Sequence, residues 1–374
     1  MVDWEEIREL FPALNEFIYL NTASNGLLSK KAIDTGVKFL SERKYGSMRW
    51  IEWYKTIDEE LRNRIARLLN CDPSEVGFVP NTSTGINMIA HSIRWEKGMN
   101  IVTTDMEFPT NLYPWQVVAR RYGLEIRYAQ NINGIISMEE FETKVDDNTQ
   151  AIIVSWVEFA NGFTNDLKAL SRLARKYGAY MIVDGIQGVG SIPLNLGEVE
   201  IDILICGMQK WLLGTGGGFI YINSKILDDL EVSFAGWLGD ERPFDFSFRT
   251  FKPAKAAKRF ELGTPSFFDL HIANTSLELI LEIGIDNIHT RNRRLIKELR
   301  EKLLEFKSIR ICTPMDSPSS IFLIKIANHK RALEELRKQR IIVSHRAGGL
   351  RISPHFYNNY DDIDALVTIL EGSS

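Results

Sequence analysis

Residues 202–219 read DILICGMQKWLLGTGGGF. The apolar run Ile201–Cys206 predicts a buried strand, and it empties into Lys210, an apolar triplet and then a string of glycines. A charge at the mouth of a buried strand is costly unless it is neutralised. The plain explanation is a lysine that reaches solvent, as most do. The segments around it decide between that and a chemical role.

Further short apolar runs fit strands at 100–105 (NIVTTD), 124–129 (LEIRYA), 151–156 (AIIVSW), 179–184 (AYMIVD) and 218–223 (GFIYIN). Stretches of helical period separate them, such as DLKALSRLARKYG at 166–178, which stops on a glycine. This alternation predicts an α/β chain on a mostly parallel sheet. The pattern loosens between 223 and 265, and two helical stretches follow. The remainder reads strand, strand, helix, short strands, helix. The expected division is a large domain over 16–265 and a small α+β domain made of 266–374 with 1–15.

The net charge of −4 gives no general affinity for nucleic acid. The one local basic run, KPAKAAKR at 252–259, reads more readily as a solvated loop. The N-terminus is acidic and amphipathic rather than a secretory signal, and no stretch approaches a membrane span. Cys71, Cys206 and Cys312 are scattered without a CxxC pair, which excludes a disulfide framework and suits a reducing cytoplasm. The histidines form no HExxH or close pair, so no histidine metal site is expected.

Two glycine strings invite a dinucleotide fingerprint, and both fail. GTGGGF has Phe219 in place of the third glycine and runs into a strand, while GVGSIP at 188–193 has Pro193 there. Neither ends in GK[ST]. These glycines more readily relieve crowding beneath a ligand or a second chain.

The strand at 179–184 ends in Asp184, at the end where open α/β sheets bind ligands, and Lys210 follows the next buried strand. A buried ion pair would also explain them. A third element shifts the balance. PNTSTGINMIAHSI at 80–93 is a turn and a helix that begins Thr82, Ser83, Thr84. Hydroxyls and free N–H groups at a helix start can hold a phosphate, whereas N-capping explains only one of the three hydroxyls. A lysine for an imine, an aspartate for a pyridinium nitrogen and a phosphate cradle describe pyridoxal phosphate chemistry.

With those residues in view, the sequence resembles the class V aminotransferases of fold type I, a group that includes cysteine desulfurases, kynureninase and isopenicillin N epimerase. VDGIQGVGSIPLNL followed by DILICGMQKWLLGTGGGFIYI carries the likeness, which extends from FIYLNTASNG at 17–26 to LRISPHFYNNYDDIDAL at 350–366. The resemblance implies the fold type I architecture of a large, mostly parallel-sheet domain with a small α+β domain. It implies pyridoxal 5′-phosphate as cofactor, Lys210 as the Schiff-base lysine and Asp184 as partner of the ring nitrogen. It implies Gln187 at the phenolic oxygen, Thr82 and Ser83 at the phosphate, and Phe108 stacked on the ring. Gln209 is counted with the cofactor contacts. Thr264 is expected to reach the phosphate of a neighbouring subunit, hence a homodimer with shared sites. Arg351 is expected to hold the substrate carboxylate, as a planar guanidinium does bidentately.

The chain departs from the family pattern in places. Relatives often carry Ser-x-His before the lysine, where Gly207-Met208-Gln209 stand here, and Phe159 replaces a frequent asparagine. The segment before Arg351, IIVSHRAGGLRIS, is short and holds no cysteine, which disfavours a desulfurase. The expected activity is amino transfer from a small L-amino acid to a 2-oxo acid. Epimerase, β-lyase or kynureninase-like chemistry stays open, with Trp156, Phe159 and Trp237 as candidates for an aromatic pocket. A cofactor-free scaffold would be marked by loss of Lys210 or Asp184, and both are present.

Overall fold

After a two-residue strand β1 (Ile18–Tyr19), seven strands build the central sheet: β2 (Val76–Val79), β3 (Asn100–Thr104), β4 (Glu125–Ala129), β5 (Thr149–Ser155), β6 (Tyr180–Asp184), β7 (Ile203–Gly207) and β8 (Gly218–Ile222). The structure is a computed structural model and describes residues 2–247 and 249–372. The strand order is β2-β8-β7-β6-β5-β3-β4, parallel throughout except for β8, which runs antiparallel to both neighbours. The α/β class and the mostly parallel sheet follow the sequence expectation.

The unbroken apolar run in β7 has a direct cause. Leu204 and Cys206 point into one core with Leu170 and Leu277, and Ile203 and Ile205 point into another with Ile86 and Ile89. Both faces of the strand are covered, so alternation disappears. Each such side chain stabilises the fold by about 1.5–3 kcal/mol relative to exposure.

The strand β2 was not anticipated. Its sequence, VGFV, is short and has a glycine in its middle. A Cβ on Gly77 would meet the Ala257 carbonyl oxygen at 2.7 Å, so the close passage of residues 256–257 requires that glycine. The helix Thr82–Ser92 then crosses β7 closely, since a Cβ on Gly85 would lie 2.8 Å from Ile205 Cγ2. That approach brings the first turn of the helix to the same sheet edge as Lys210.

A second, antiparallel sheet is made of β9 (Arg310–Ile311), β10 (Phe322–Lys325), β12 (Ser344–Arg346) and β13 (Gly349–Ile352), in the order β12-β13-β10-β9. Between β10 and β12 lies β11 (Ile341–Ile342), which pairs in parallel with β1. The N-terminal segment joins this C-terminal part: Arg8 donates to both carboxylate oxygens of Asp362 at 2.8 and 3.0 Å. The basic run at 252–259 is no coherent charged patch. Arg259 turns inward, donating to the Ala254 and Leu227 carbonyls and pairing with Asp228. Among the described residues no helix is long and apolar enough to cross a membrane, and all three cysteines are free.

Candidate active site

Strands β6 and β7 are parallel neighbours, with Asp184 opposite Ile205. Asp184 at the end of β6 and Lys210, three residues beyond β7, therefore emerge at one edge of the sheet. Thr82, Ser83, Phe108, Asp184, Gln187, Gln209 and Lys210 line a single cavity of about 260 Å³ there. Thr264 does not join them. It lines a separate cavity of about 410 Å³ with Leu262, Pro265 and Asp269.

Burial governs the charges. Asp184 is 3% exposed, and desolvation raises its carboxyl to about 6 against one backbone hydrogen bond from Ile186 N at 3.0 Å. Desolvation lowers the Lys210 ammonium to about 8, with the Asp184 charge opposing part of that shift. Lys210 Nζ sits 5.9 Å from the centroid of Phe108. The result is an amine, facing a cavity, that loses its proton at about pH 8, well below an ordinary lysine.

The residues present fit a phosphate at the helix start. The buried Thr82 Oγ1 and Gln209 Oε1 have no hydrogen-bond partner. Such orphan groups are rare unless a ligand completes them, and turning the Gln209 amide over presents its N–H₂ instead. The N-terminal N–H groups of Thr82–Ser92 add a positive dipole end. Ser83 Oγ lies 2.9 Å from Thr110 Oγ1, which holds it at the same rim.

The two departures ahead of the lysine explain each other. A Cβ on Gly207 would come within 2.5 Å of Gln209 Oε1 and 2.9 Å of Thr82 Oγ1. Gly207 thus leaves the space that the Gln209 side chain fills. Substituting Gly207→Ala should displace Gln209 and weaken pyridoxal phosphate binding about 10- to 100-fold, the worth of one hydrogen bond to a charged group. A spectroscopic titration of the apo-protein measures it, and an unchanged affinity would remove Gln209 from the cofactor contacts.

Gln187 is already oriented: its Nε2 donates to Ala23 O at 3.0 Å and its Oε1 accepts from Trp211 Nε1 at 2.9 Å. The second Nε2 hydrogen remains for a ligand oxygen. Phe159 meets Phe108 edge to face at 5.1 Å and lines the cavity. The other two aromatics considered for a pocket do not. Trp156 packs beneath Gly188, whose added Cβ would lie 2.1 Å from the indole, and Trp237 belongs to a distant cluster with Trp50, Phe244 and Phe246.

Arg351, on β13, is not among the residues lining the Lys210 cavity and is 2% exposed. It donates to Phe159 O at 2.7 Å, Ser24 Oγ at 2.8 Å and Ser344 Oγ at 3.2 Å, all neutral acceptors. Burial, with the Arg346 charge added, lowers it to about 10. A buried guanidinium without a carboxylate is costly to the free protein and ready to receive one.

Sequence reading missed Ser24 and a buried acid pair. Glu107 accepts from Ser155 N, Ser155 Oγ and Asn111 Nδ2 at 2.6–2.9 Å, and Glu158 from Asn165 Nδ2 and Thr104 Oγ1. Thr104 Oγ1 also reaches Glu107, at 3.5 Å. Burial pushes Glu107 up to about 7 and Glu158 well above the carboxylate range, each opposed by its hydrogen bonds. Burial therefore favours the protonated form of each acid. Each sits alone between apolar neighbours in sequence, with no periodic signal to mark it.

A family model described as aminotransferase class-V matches residues 18–366. An uncharacterized aminotransferase of Bacillus subtilis, YcbU, is 27% identical over 361 residues, covering 96% of this chain and 95% of its own. A probable cysteine desulfurase of Pyrococcus abyssi is 26% identical, with 98% and 96% covered. Among solved structures, a cysteine desulfurase from Thermococcus onnurineus superposes with a TM-score of 0.91 at 24% identity, over 100% of this chain and 98% of its own. A cystine C-S lyase superposes at 0.90 and 21%, over 96% and 98%. At those identities the structural likeness speaks to the fold, which is that of these enzymes.

Proposed function

This chain belongs to the class-V aminotransferase family, and from that premise we propose that it is a pyridoxal phosphate enzyme that moves an amino group from an L-amino acid to a 2-oxo acid. The observation that carries the reading is the make-up of the Lys210 cavity. Among the described residues no tyrosine, histidine or cysteine lines it; its titratable groups are Lys210 and Asp184, and with Asp184 taken up by the pyridine nitrogen, Lys210 is left to shuttle a proton at the substrate. Epimerisation calls for a second proton carrier on the opposite face, and desulfuration calls for a mobile thiol.

Two of the three thiols are poorly suited to that second task, whereas Cys312 lines the neighbouring cavity that shares Phe159. Burial raises Cys206 well above the usual thiol range and Cys71 to about 12. Cys312 lies beside β10, its N–H held by Leu323 O at 2.8 Å, in the row of the sheet that holds Arg351. Two strand spacings separate them, about 9–10 Å.

When bound, pyridoxal phosphate supplies an electron sink for the pair released from the substrate Cα–H bond. Thr82, Ser83, Gln209 and the helix N-terminus would hold its phosphate, Gln187 its phenolic oxygen and Phe108 one ring face. Asp184 would keep a proton on its pyridine nitrogen. Arg351 fixes the substrate carboxylate and so the direction of the Cα–H bond. Lys210 would take the proton from the substrate Cα and hold it for return, the proton-carrying role that amino transfer requires. Thr264 suits a role toward a second copy of the chain, and exposed Met48, Ile51, Phe244 and Phe246 offer apolar surface for a homodimer. The free thiols accord with a cytoplasmic setting.

The test is the visible spectrum of the purified protein against a panel of L-amino acids. The cofactor band is expected to be bleached by one amino acid and restored by a 2-oxo acid. Sulfane sulfur and alanine formed from L-cysteine, without amino transfer to any 2-oxo acid, would overturn the reading in favour of a desulfurase.

A further inference from the structure

The face of the small sheet that carries Arg351 carries three more cations. Arg351 lies opposite Ser344 on β12 and Leu323 on β10. Side chains two residues apart share a face of a strand, so Arg346, two beyond Ser344, and Lys325, two beyond Leu323, project the same way. Arg310 is the direct cross-strand partner of Lys325. The alternate residues Ile324 and Leu350 fill the core on the other side.

Arg310 and Lys325 line a cavity of about 710 Å³ together with Cys312, Leu323 and Ala347. Phe159 is in the wall of this cavity and of the Lys210 cavity, so the two lie back to back across one side chain. Arg346 is close enough that its charge helps to lower both Lys210 and Arg351.

Among the described residues none of the three cations has an acidic partner. Arg346 Nη1 donates to His345 O at 2.8 Å, and Arg310, Lys325 and Arg346 are all exposed. The acids on the cavity wall are engaged elsewhere: Asp105 accepts from Asn131 N and Nδ2, and Glu107 from Ser155 and Asn111. Like charges directly opposite on paired strands cost stability. An arrangement that keeps them together, beside a buried arginine also lacking an anion, is one that an anionic ligand completes.

We infer that Arg346, Lys325 and Arg310 form a subsite for the side-chain carboxylate of an acidic substrate, aspartate, glutamate or the corresponding 2-oxo acid, whose α-carboxylate is held by Arg351. Rows two residues apart on a strand are separated by about 7 Å, a span that arginine and lysine side chains close around a four- or five-carbon dicarboxylate. The inference rests on the α-carboxylate reading of Arg351.

The holoenzyme tests it with L-glutamate, L-aspartate, L-glutamine, L-asparagine and O-phospho-L-serine, each followed through the cofactor spectrum. The rate constant for an acid is expected to exceed that for its amide by about tenfold or more. That ratio should fall toward one in the Arg310→Gln, Lys325→Gln double variant, whose cofactor band reports that it has folded. Calorimetry with glutarate against butyrate gives a second readout, with the preference for glutarate lost in the same variant. An acid-to-amide ratio at or below one, or a ratio the variant does not change, overturns the subsite. O-phospho-L-serine outrunning both acids with the same dependence overturns its assignment to a carboxylate. Should no amino acid alter the spectrum, the amino-transfer reading fails, while a glutarate preference lost in the variant would still uphold the subsite.

Discussion

Apo-protein bearing Lys210→Ala should no longer trap pyridoxal phosphate covalently, and its turnover should fall by about 10⁴-fold or more, since nucleophile and proton carrier are lost together. Borohydride reduction followed by peptide mass spectrometry reads the first effect, and initial rates read the second. The pH dependence of capture in the wild type carries more information. Only the neutral amine attacks an aldehyde, and burial lowers Lys210 from 10.5 to about 8. The capture rate should therefore rise tenfold per pH unit below about 8 and level off above it. At about pH 7.5 the neutral fraction is some 10²-fold larger than for an ordinary lysine. A rate still climbing through pH 9, or a label found on another lysine, would displace Lys210 from this role.

The second large effect belongs to Arg351. Arg351→Met should raise KM for the amino acid about 10²-fold or more, the loss expected when a buried charge pair loses one partner, with the cofactor band intact. The retained band separates this variant from Lys210→Ala and from global unfolding. Arg351→Lys should recover only part of the affinity, because an ammonium cannot reproduce the planar fork now spread over Phe159 O, Ser24 Oγ and Ser344 Oγ. A KM within about threefold of wild type in Arg351→Met would show that the substrate carboxylate is held elsewhere.

Much of the site was legible because it hangs on local features. Asp184 and Lys210 each follow a strand, and strands that end at one sheet edge present their next residues together. Thr82 and Ser83 were visible as a hydroxyl cluster at a helix start. The acid pair Glu107 and Glu158 was not, because the two meet only through the folding of separate loops onto Thr104 and Ser155. Trp156 and Trp237 take the packing role that aromatics near such motifs more often have, because proximity in sequence to a motif does not say which way a side chain turns.

The sequence alone determined the α/β class and the positions of six of the seven central strands, and it pointed to the strand ends at which the candidate site lies. These follow from hydrophobic period and from strand ends, both properties of a few consecutive residues. Only the tertiary structure decided that β2 closes the sheet through Gly77, that Gly207 makes room for Gln209, and that Arg310, Lys325 and Arg346 share a face with Arg351. Each of those depends on strand register or on how closely two backbones approach. A shift of one residue in register sends a side chain to the opposite face, and no local pattern records it.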